Sequence, residues 1–133
     1  MKVVDGPGWR RLELSGEIDL AWYESHRADV ELALQDIPRL MFVDVERVTF
    51  MDSTGIGVLA KIYRQSQIVE GEVCVVCPRP FVARTLEIAG LDDVLTIVDS
   101  ASEAWEIYAG VARLGGSATV SGTRPPEFDS KDG

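Results

Sequence analysis

The fold is decided by one stretch of sequence, Val45-Glu46-Arg47-Val48-Thr49-Phe50-Met51-Asp52-Ser53-Thr54-Gly55-Ile56-Gly57-Val58-Leu59. The continuous apolar run Leu40 to Val45 leads into it and predicts a strand that is covered on both faces. Glu46 to Asp52 is expected to form a polar loop. Apolar residues at helical spacing follow Ser53 and predict a helix that runs to about Val69. The stretch therefore predicts a strand, a loop and the start of a helix.

Asp52 and Ser53 stand where the predicted helix begins. Both are preferred N-cap residues, because their side-chain oxygens can accept hydrogen bonds from backbone N–H groups of the first helical turn. One interpretation of Ser53 is therefore a helix cap and nothing more. The other is a switch residue near the surface, because phosphorylation adds about −1.5 to −2 charge and a helix N-terminus tolerates negative charge. Residue chemistry alone leaves both interpretations open.

Two motifs, taken together, resemble a known family. They are Ser15-Gly16-Glu17-Ile18-Asp19 and the segment from Phe50 to Leu59. In this order and at this spacing, the chain resembles the anti-sigma factor antagonists of the STAS domain family, from roughly Trp9 to Gly110. The resemblance implies an α/β fold: a single STAS-like domain, residues 1–114, whose mixed β-sheet of about four or five strands is packed with about four α-helices.

The resemblance also implies a function. In that family the serine after the Asp is phosphorylated by a partner kinase, and the matching position here is Ser53. The implied partners are an anti-sigma factor that is also an ATP-dependent serine kinase, and a metal-dependent serine phosphatase that resets the switch. Unphosphorylated protein is expected to sequester the anti-sigma factor and free the sigma factor for transcription. The expected partner-binding residues are Asp19, Asp52, Ser53, Thr54, Gly55 and Gly57.

Several roles within this set stay open. Asp19, which matches the Asp of the family's Gly-Glu-Ile-Asp motif, is expected near Ser53, and its alternative role is a plain helix N-cap. Gly55 and Gly57 give the predicted helix a side of small residues, which lets either another part of the backbone or a partner approach closely. The sequence also leaves open whether Thr54 is an alternative phosphoacceptor.

Composition excludes several function classes. The 133 residues are 46% hydrophobic, which predicts one domain with a single core. Acidic residues number 22 against 13 scattered basic ones, for a net charge of −9, so nucleic-acid binding is not expected. No apolar run approaches the roughly 18 residues of a membrane span, and the first residues do not resemble a secretory signal. We expect a cytoplasmic protein, a monomer or weak dimer, without cofactor, metal or catalytic activity.

Two further motifs invite other interpretations. Cys74 and Cys77 form C-x-x-C in a predicted strand, where a separation of three points the side chains to opposite faces, so two buried thiols are expected.

The segment Gly55 to Ala60 satisfies G-x-G-x-x-A, the dinucleotide fingerprint, whose glycines must form the turn between strand and helix. Seven residues, Glu46 to Asp52, are predicted to separate the strand from Ser53. Nucleotide binding is therefore not expected.

The other predicted elements alternate strands with helices. Val3 and Val4, a turn, and a strand from Trp9 to Leu14 predict an edge hairpin. Further along come a helix from about Leu20 to Asp36, a strand from Val73 to Cys77, a helix that ends near Ala89 before Gly90, a strand from Val94 to Val98, and a helix opened by the capping box Ser100-Ala101-Ser102-Glu103. Residues 115–133 are expected to be a disordered tail.

The same fold permits a second function. The chain could be a scaffold or sensory subunit of a larger signalling assembly, in which modification of Ser53 or Thr54 tunes assembly. Light scattering separates the two functions, because a small monomer or dimer favours the antagonist and a megadalton particle favours the assembly.

Overall fold

One mixed β-sheet organises the described part of the chain. The computed structural model describes residues 1–76 and 78–114, with side chains described through Gly110. Within these residues the sheet has five strands in the order β1-β2-β3-β4-β5. The strands are β1 (Lys2–Gly6), β2 (Trp9–Ile18), β3 (Leu40–Met51), β4 (Glu72–Val76) and β5 (Thr96–Val98). β1 runs antiparallel to β2 at one edge, as the predicted hairpin requires, and the other pairs are parallel.

Four α-helices of the described residues cover the two faces of the sheet. They are α1 (Leu20–Ala33), α2 (Ser53–Ile68), α3 (Pro80–Ile88) and α4 (Ala101–Leu114). α1, α2 and α3 bury their apolar side chains in one core, where Met41, Val43 and Val45 of β3 project. α4 packs in a second core on the other face, against Leu40 and Phe42. The predicted fold class, an α/β domain with a mixed sheet and four helices, is confirmed.

β3 is longer than the sequence predicts. We expected it to end at Val45, with a loop from Glu46 to Asp52, but the strand continues to Met51. β2 likewise continues past the predicted end at Leu14 to Ile18, and the two strands stay paired to their ends.

Register shifts explain why the spacing of apolar residues does not predict the second half of β3. Two irregularities interrupt the β2–β3 pairing, between Glu13 and Ser15 and between Gly16 and Glu17. Such bulges break the two-residue alternation of a strand. The buried residues Val45, Val48 and Met51 therefore recur every third position, and the exposed residues between them read as a loop.

Several element boundaries shift for local reasons. α1 ends at Ala33, before the predicted Asp36, which adopts a positive φ of 51°. Gly90, with a φ of 79°, ends the α3 region as predicted. The last predicted strand begins at Thr96 instead of Val94, and a short 3-10 helix, Leu91–Asp93, precedes it. Cys74 is buried, whereas Cys77 and the predicted tail, residues 115–133, lie outside the described residues.

The Ser100 half of the predicted capping box of α4 is confirmed, whereas the Glu103 side chain bonds the residue before Ser100. The backbone N–H of Glu103 donates to the Ser100 hydroxyl oxygen at 3.2 Å, and the Glu103 carboxylate accepts from the Asp99 N–H at 2.9 Å.

None of the helices in the described part of the chain combines the length and the apolar character that a membrane span requires.

Arg11 of β2 and Asp44 of β3 form a buried pair of oppositely charged side chains. Their side chains are 7% and 4% exposed, and an Arg11 guanidinium nitrogen lies 3.7 Å from an Asp44 carboxylate oxygen. The other Asp44 oxygen accepts the Glu46 N–H at 3.0 Å. Burial raises the pKa of Asp44 above its ordinary value of 3.8, and the Glu46 N–H and the Arg11 charge only partly oppose that shift.

Asp44→Asn is expected to flatten the pH dependence of stability. The folded protein holds the Asp44 proton more tightly than the unfolded chain, so the free energy of unfolding falls as pH rises through the raised pKa. Asn keeps the oxygen that accepts the Glu46 N–H but does not titrate. Urea unfolding at several pH values above and below the ordinary Asp pKa measures both slopes. Equal slopes for the wild type and Asp44→Asn would contradict the expectation. A shift of the whole Asn profile to lower stability, in addition to the difference in slope, would reflect the lost Arg11 contact.

Exchanging Gly55 and Gly57 for Ala is expected to give opposite effects on stability. A Cβ on Gly55 would clash with the buried Met51 side chain and lie 3.2 Å from Ile18, whereas a Cβ on Gly57 meets nothing within 4 Å. Gly55→Ala should cost about 1–3 kcal/mol through overpacking. Gly57→Ala should stabilise by about 0.5–1 kcal/mol, because Ala is the better helix former. Urea unfolding measures both, and equal effects would contradict this packing of α2.

Candidate functional site

The candidate site lies where β2 and β3 end side by side. Ile18 and Met51, their last residues, are paired in register. Each strand is followed at once by an aspartate, Asp19 or Asp52, and then by a helix. The Asp52 N–H lies 3.5 Å from the Ile18 carbonyl oxygen, so the two aspartates follow hydrogen-bonded neighbouring strands. The structure therefore brings both sequence-predicted aspartates to one edge of the sheet.

Both aspartates are helix N-caps. Asp19 accepts the Trp22 N–H of α1 at 3.0 Å, and Asp52 accepts the Thr54 N–H of α2 at 2.9 Å. The two caps have extended backbones. The capping role considered for Asp19 is thus confirmed. In α2 the cap is Asp52, so the interpretation of Ser53 as only a cap is wrong.

Ser53 is the first residue of α2 and is exposed. Its position at the surface and at a helix N-terminus agrees with the sequence prediction. Its neighbour Thr54 is half-buried. Because Asp52 supplies the capping oxygen, the Ser53 hydroxyl is not needed to hold the helix start.

The two glycines of the predicted set have different surroundings. Gly57 is exposed and has open space around it. Gly55 is buried, and its missing side chain lets Met51 and Ile18 of the core approach the helix. Of the two roles considered for these small residues, the structure shows contact within the protein for Gly55, whose buried position does not face an approaching partner. Gly57 leaves α2 open to an approaching surface.

The electrostatics of the site are set by helix ends and carboxylates. The N-termini of α1, with 14 residues, and α2, with 16 residues, lie at the ends of adjacent strands. Each end of this kind carries roughly half a positive charge. Among residues 1–76 and 78–114, the ion pairs involve neither Asp19 nor Asp52. Their carboxylates therefore face the helix ends and solvent.

The dinucleotide motif falls in the wrong place for its function. The predicted seven-residue separation is wrong, because only Asp52 stands between β3 and α2. Even so, Gly55 and Gly57 lie inside α2 and do not form the turn that a pyrophosphate would need.

The described residues also contain no group of three or more potential metal ligands of the His, Cys, Asp and Glu types.

Sequence reasoning missed an aromatic pair beside this edge. Phe50, which precedes Met51 on β3, stacks on Phe81 of α3 with ring centroids 5.9 Å apart. The two residues are far apart in sequence, and Phe50 fell in a segment predicted to be a loop. Only the three-dimensional packing of α3 against β3 brings them together.

Comparisons with known proteins agree with this geometry. A family model described as the STAS domain matches residues 1–104. The anti-sigma F factor antagonist of Paenibacillus polymyxa is 30% identical over 90 residues, which cover 67% of this chain and 77% of that protein.

Solved structures with the same fold include two anti-sigma factor antagonists. SpoIIAA in its unphosphorylated form superposes with a TM-score of 0.68 and 25% identity, over 82% of this chain and 96% of that one. An antagonist from Mycobacterium paratuberculosis gives a TM-score of 0.71 and 25% identity, over 80% and 90%. The chain therefore belongs to the STAS domain family, among its anti-sigma factor antagonists.

Proposed function

We propose that this protein switches partners through Ser53. Unphosphorylated, it binds a cognate anti-sigma factor, itself a serine kinase, and the sigma factor is released in the cytoplasm. Phosphorylation of Ser53 ends the binding, and a metal-dependent serine phosphatase restores it. The names of the relatives support the general role. The structure of the relative SpoIIAA is specified as that of its unphosphorylated form.

The exposed position of Ser53 beside a separate cap carries the proposal. Asp52 holds the first turn of α2 through the Thr54 N–H at 2.9 Å. A phosphate on Ser53 therefore leaves this hydrogen bond in place, and the helix dipole favours the added charge by about 0.3–1 kcal/mol. Phosphorylation is expected to change the surface and to leave the fold as it is.

The change in affinity must come from the interface. Moving a partner from about 99% bound to 99% free requires about 5.5 kcal/mol of differential binding. The helix dipole supplies far less than this, and it acts on the free protein too. A dianionic phosphate in a close-packed interface adds bulk, loses hydration and lies beside Asp52 and Asp19. Those contributions together reach several kcal/mol.

The partner is proposed to cover the exposed edge around Ser53. Asp19, Asp52, Ser53 and Thr54 present carboxylates and hydroxyls at the ends of β2 and β3. Gly57, one turn further along α2, lets the partner approach the helix closely. Gly55 contributes indirectly, because it seats α2 on Met51 and Ile18.

Ser53→Ala and Ser53→Asp are expected to separate the two binding states. Ser53→Ala should bind the anti-sigma factor constitutively, because it cannot be phosphorylated. Ser53→Asp should bind at least about tenfold more weakly, because a charge would be desolvated next to Asp52. Calorimetric titration with the cognate anti-sigma factor measures both affinities.

Ser102→Asp is the matched control for this charge. Ser102 is an exposed serine in the first turn of α4, which packs on the other face of the sheet. Its replacement adds the same charge to another helix start and should leave affinity unchanged. Equal affinities for wild type, Ser53→Ala and Ser53→Asp would refute the switch.

Kinase treatment is expected to place one phosphate on Ser53. The protein is incubated with ATP and each candidate anti-sigma factor kinase, and the tryptic peptide of residues 48–61 is fragmented in a mass spectrometer. Fragmentation is needed because this peptide holds three hydroxyl residues, Thr49, Ser53 and Thr54. Thr54→Val should be phosphorylated as wild type is, and Ser53→Ala should not. A phosphate on Thr54 of the wild type would contradict the assignment.

A further inference from the structure

Phe50 and Phe81 form an exposed aromatic pair, which we call the aromatic platform. Phe50 is 38% exposed and Phe81 is 53% exposed. Their rings lie 5.9 Å apart and nearly parallel, at 20°. Exposed apolar residues that stand alone are ordinary in proteins. Here two large rings from different elements contact each other and still leave much of their surface to water.

The platform is held in place before any partner arrives. Phe50 lies on β3 opposite Glu17 of β2, in the ladder that continues to Ile18 and Met51. Arg79, the residue before α3, donates from its guanidinium Nε to the Glu46 carbonyl oxygen at 3.0 Å, which ties the start of α3 to β3. Phe81 is the second residue of that helix. Docking on rings that are already ordered costs less conformational entropy than docking on mobile ones.

The platform lies within reach of any protein that covers Ser53. Ser53 is three positions after Phe50 along the chain, a span of at most about 11 Å. A standard interface buries about 800 Å² on each partner, which corresponds to a disc of roughly 16 Å radius. A kinase surface centred on Ser53 is therefore large enough to reach Phe50, on which Phe81 is stacked.

We propose that the anti-sigma factor kinase binds the aromatic platform with an apolar side chain while it engages Ser53. This inference rests on the proposed function and adds a second contact to the same complex. Aromatic residues are enriched among the side chains that dominate binding energy. The polar edge at Asp19 and Asp52 places the phosphoacceptor, and the platform supplies apolar area that hydroxyls and carboxylates cannot. A kinase without a matching apolar residue is then a poor partner.

The test measures affinity in the Ser53→Ala background, which fixes the unphosphorylated state. The probe is the purified kinase that phosphorylates Ser53 in the mapping experiment. Adding Phe81→Ala should weaken binding by about tenfold or more, and adding Phe50→Ala should also weaken it. Ile88→Ala is the matched control, because Ile88 lies on the same helix, is 77% exposed and is about 10 Å further along the axis. It should leave affinity within twofold.

Urea unfolding and sedimentation accompany the titration. Phe81→Ala puts a better helix former at a half-exposed site, so it should fold. Unchanged kinase affinity with lowered stability would assign the pair to internal packing and overturn the inference. Altered self-association with unchanged kinase affinity would assign it to a second copy of this chain and overturn it as well. If Ser53→Ala alone fails to bind, the proposed function and this inference both fall. If it binds and Phe81→Ala has no effect, only this inference falls.

Discussion

The site depends on the pairing of β2 with β3, which continues to the last residues of both strands. Among the described residues, β4 pairs with β3 as far as Asp44, opposite Val76, whereas β2 stays paired with β3 until Ile18 meets Met51. Because the chain continues into a capped helix after each strand, two helix N-termini open at the same edge. Asp19, Asp52 and Ser53 are neighbours for this reason, although Asp19 is far from the other two in sequence.

The structure separates Asp52, which caps the helix, from Ser53, the residue that we propose is modified. Asp52 takes the capping hydrogen bond, and Gly55 lets α2 rest on Met51 and Ile18. Ser53, between them, makes neither contribution and faces solvent. A charge added at Ser53 therefore changes what can dock without removing a contact that folding needs. This separation explains how a residue at a helix start could act as a switch within a stable fold.

The sequence predicts those features that local chemistry determines. The apolar run Leu40 to Val45 identified the central strand, and the Ser100 and Glu103 pattern identified the start of α4, because burial and capping are encoded over a few residues. The end of β3 was missed, because register shifts make its buried residues recur every third position. Asp52 and Ser53 could not be told apart as caps, since both side chains suit the role.

Long-range contacts were beyond sequence reasoning. The stacking of Phe50 on Phe81 follows from where α3 packs, and no periodicity links the two residues. The burial of Gly55 and the exposure of Gly57 likewise depend on which side of α2 faces Met51. Composition and spacing showed a side of small residues, and only packing assigned one glycine to the core and the other to the surface.

The central claim is that a phosphate on Ser53 changes affinity and leaves the fold intact. Its most direct test compares unmodified protein with protein carrying phosphoserine at position 53, using titration with the anti-sigma factor kinase and amide hydrogen exchange of both free proteins. The account predicts a loss of affinity of about 100-fold or more with unchanged protection of α1 and α2. Equal affinity, or lost protection in α2 of the phosphorylated protein, would contradict it.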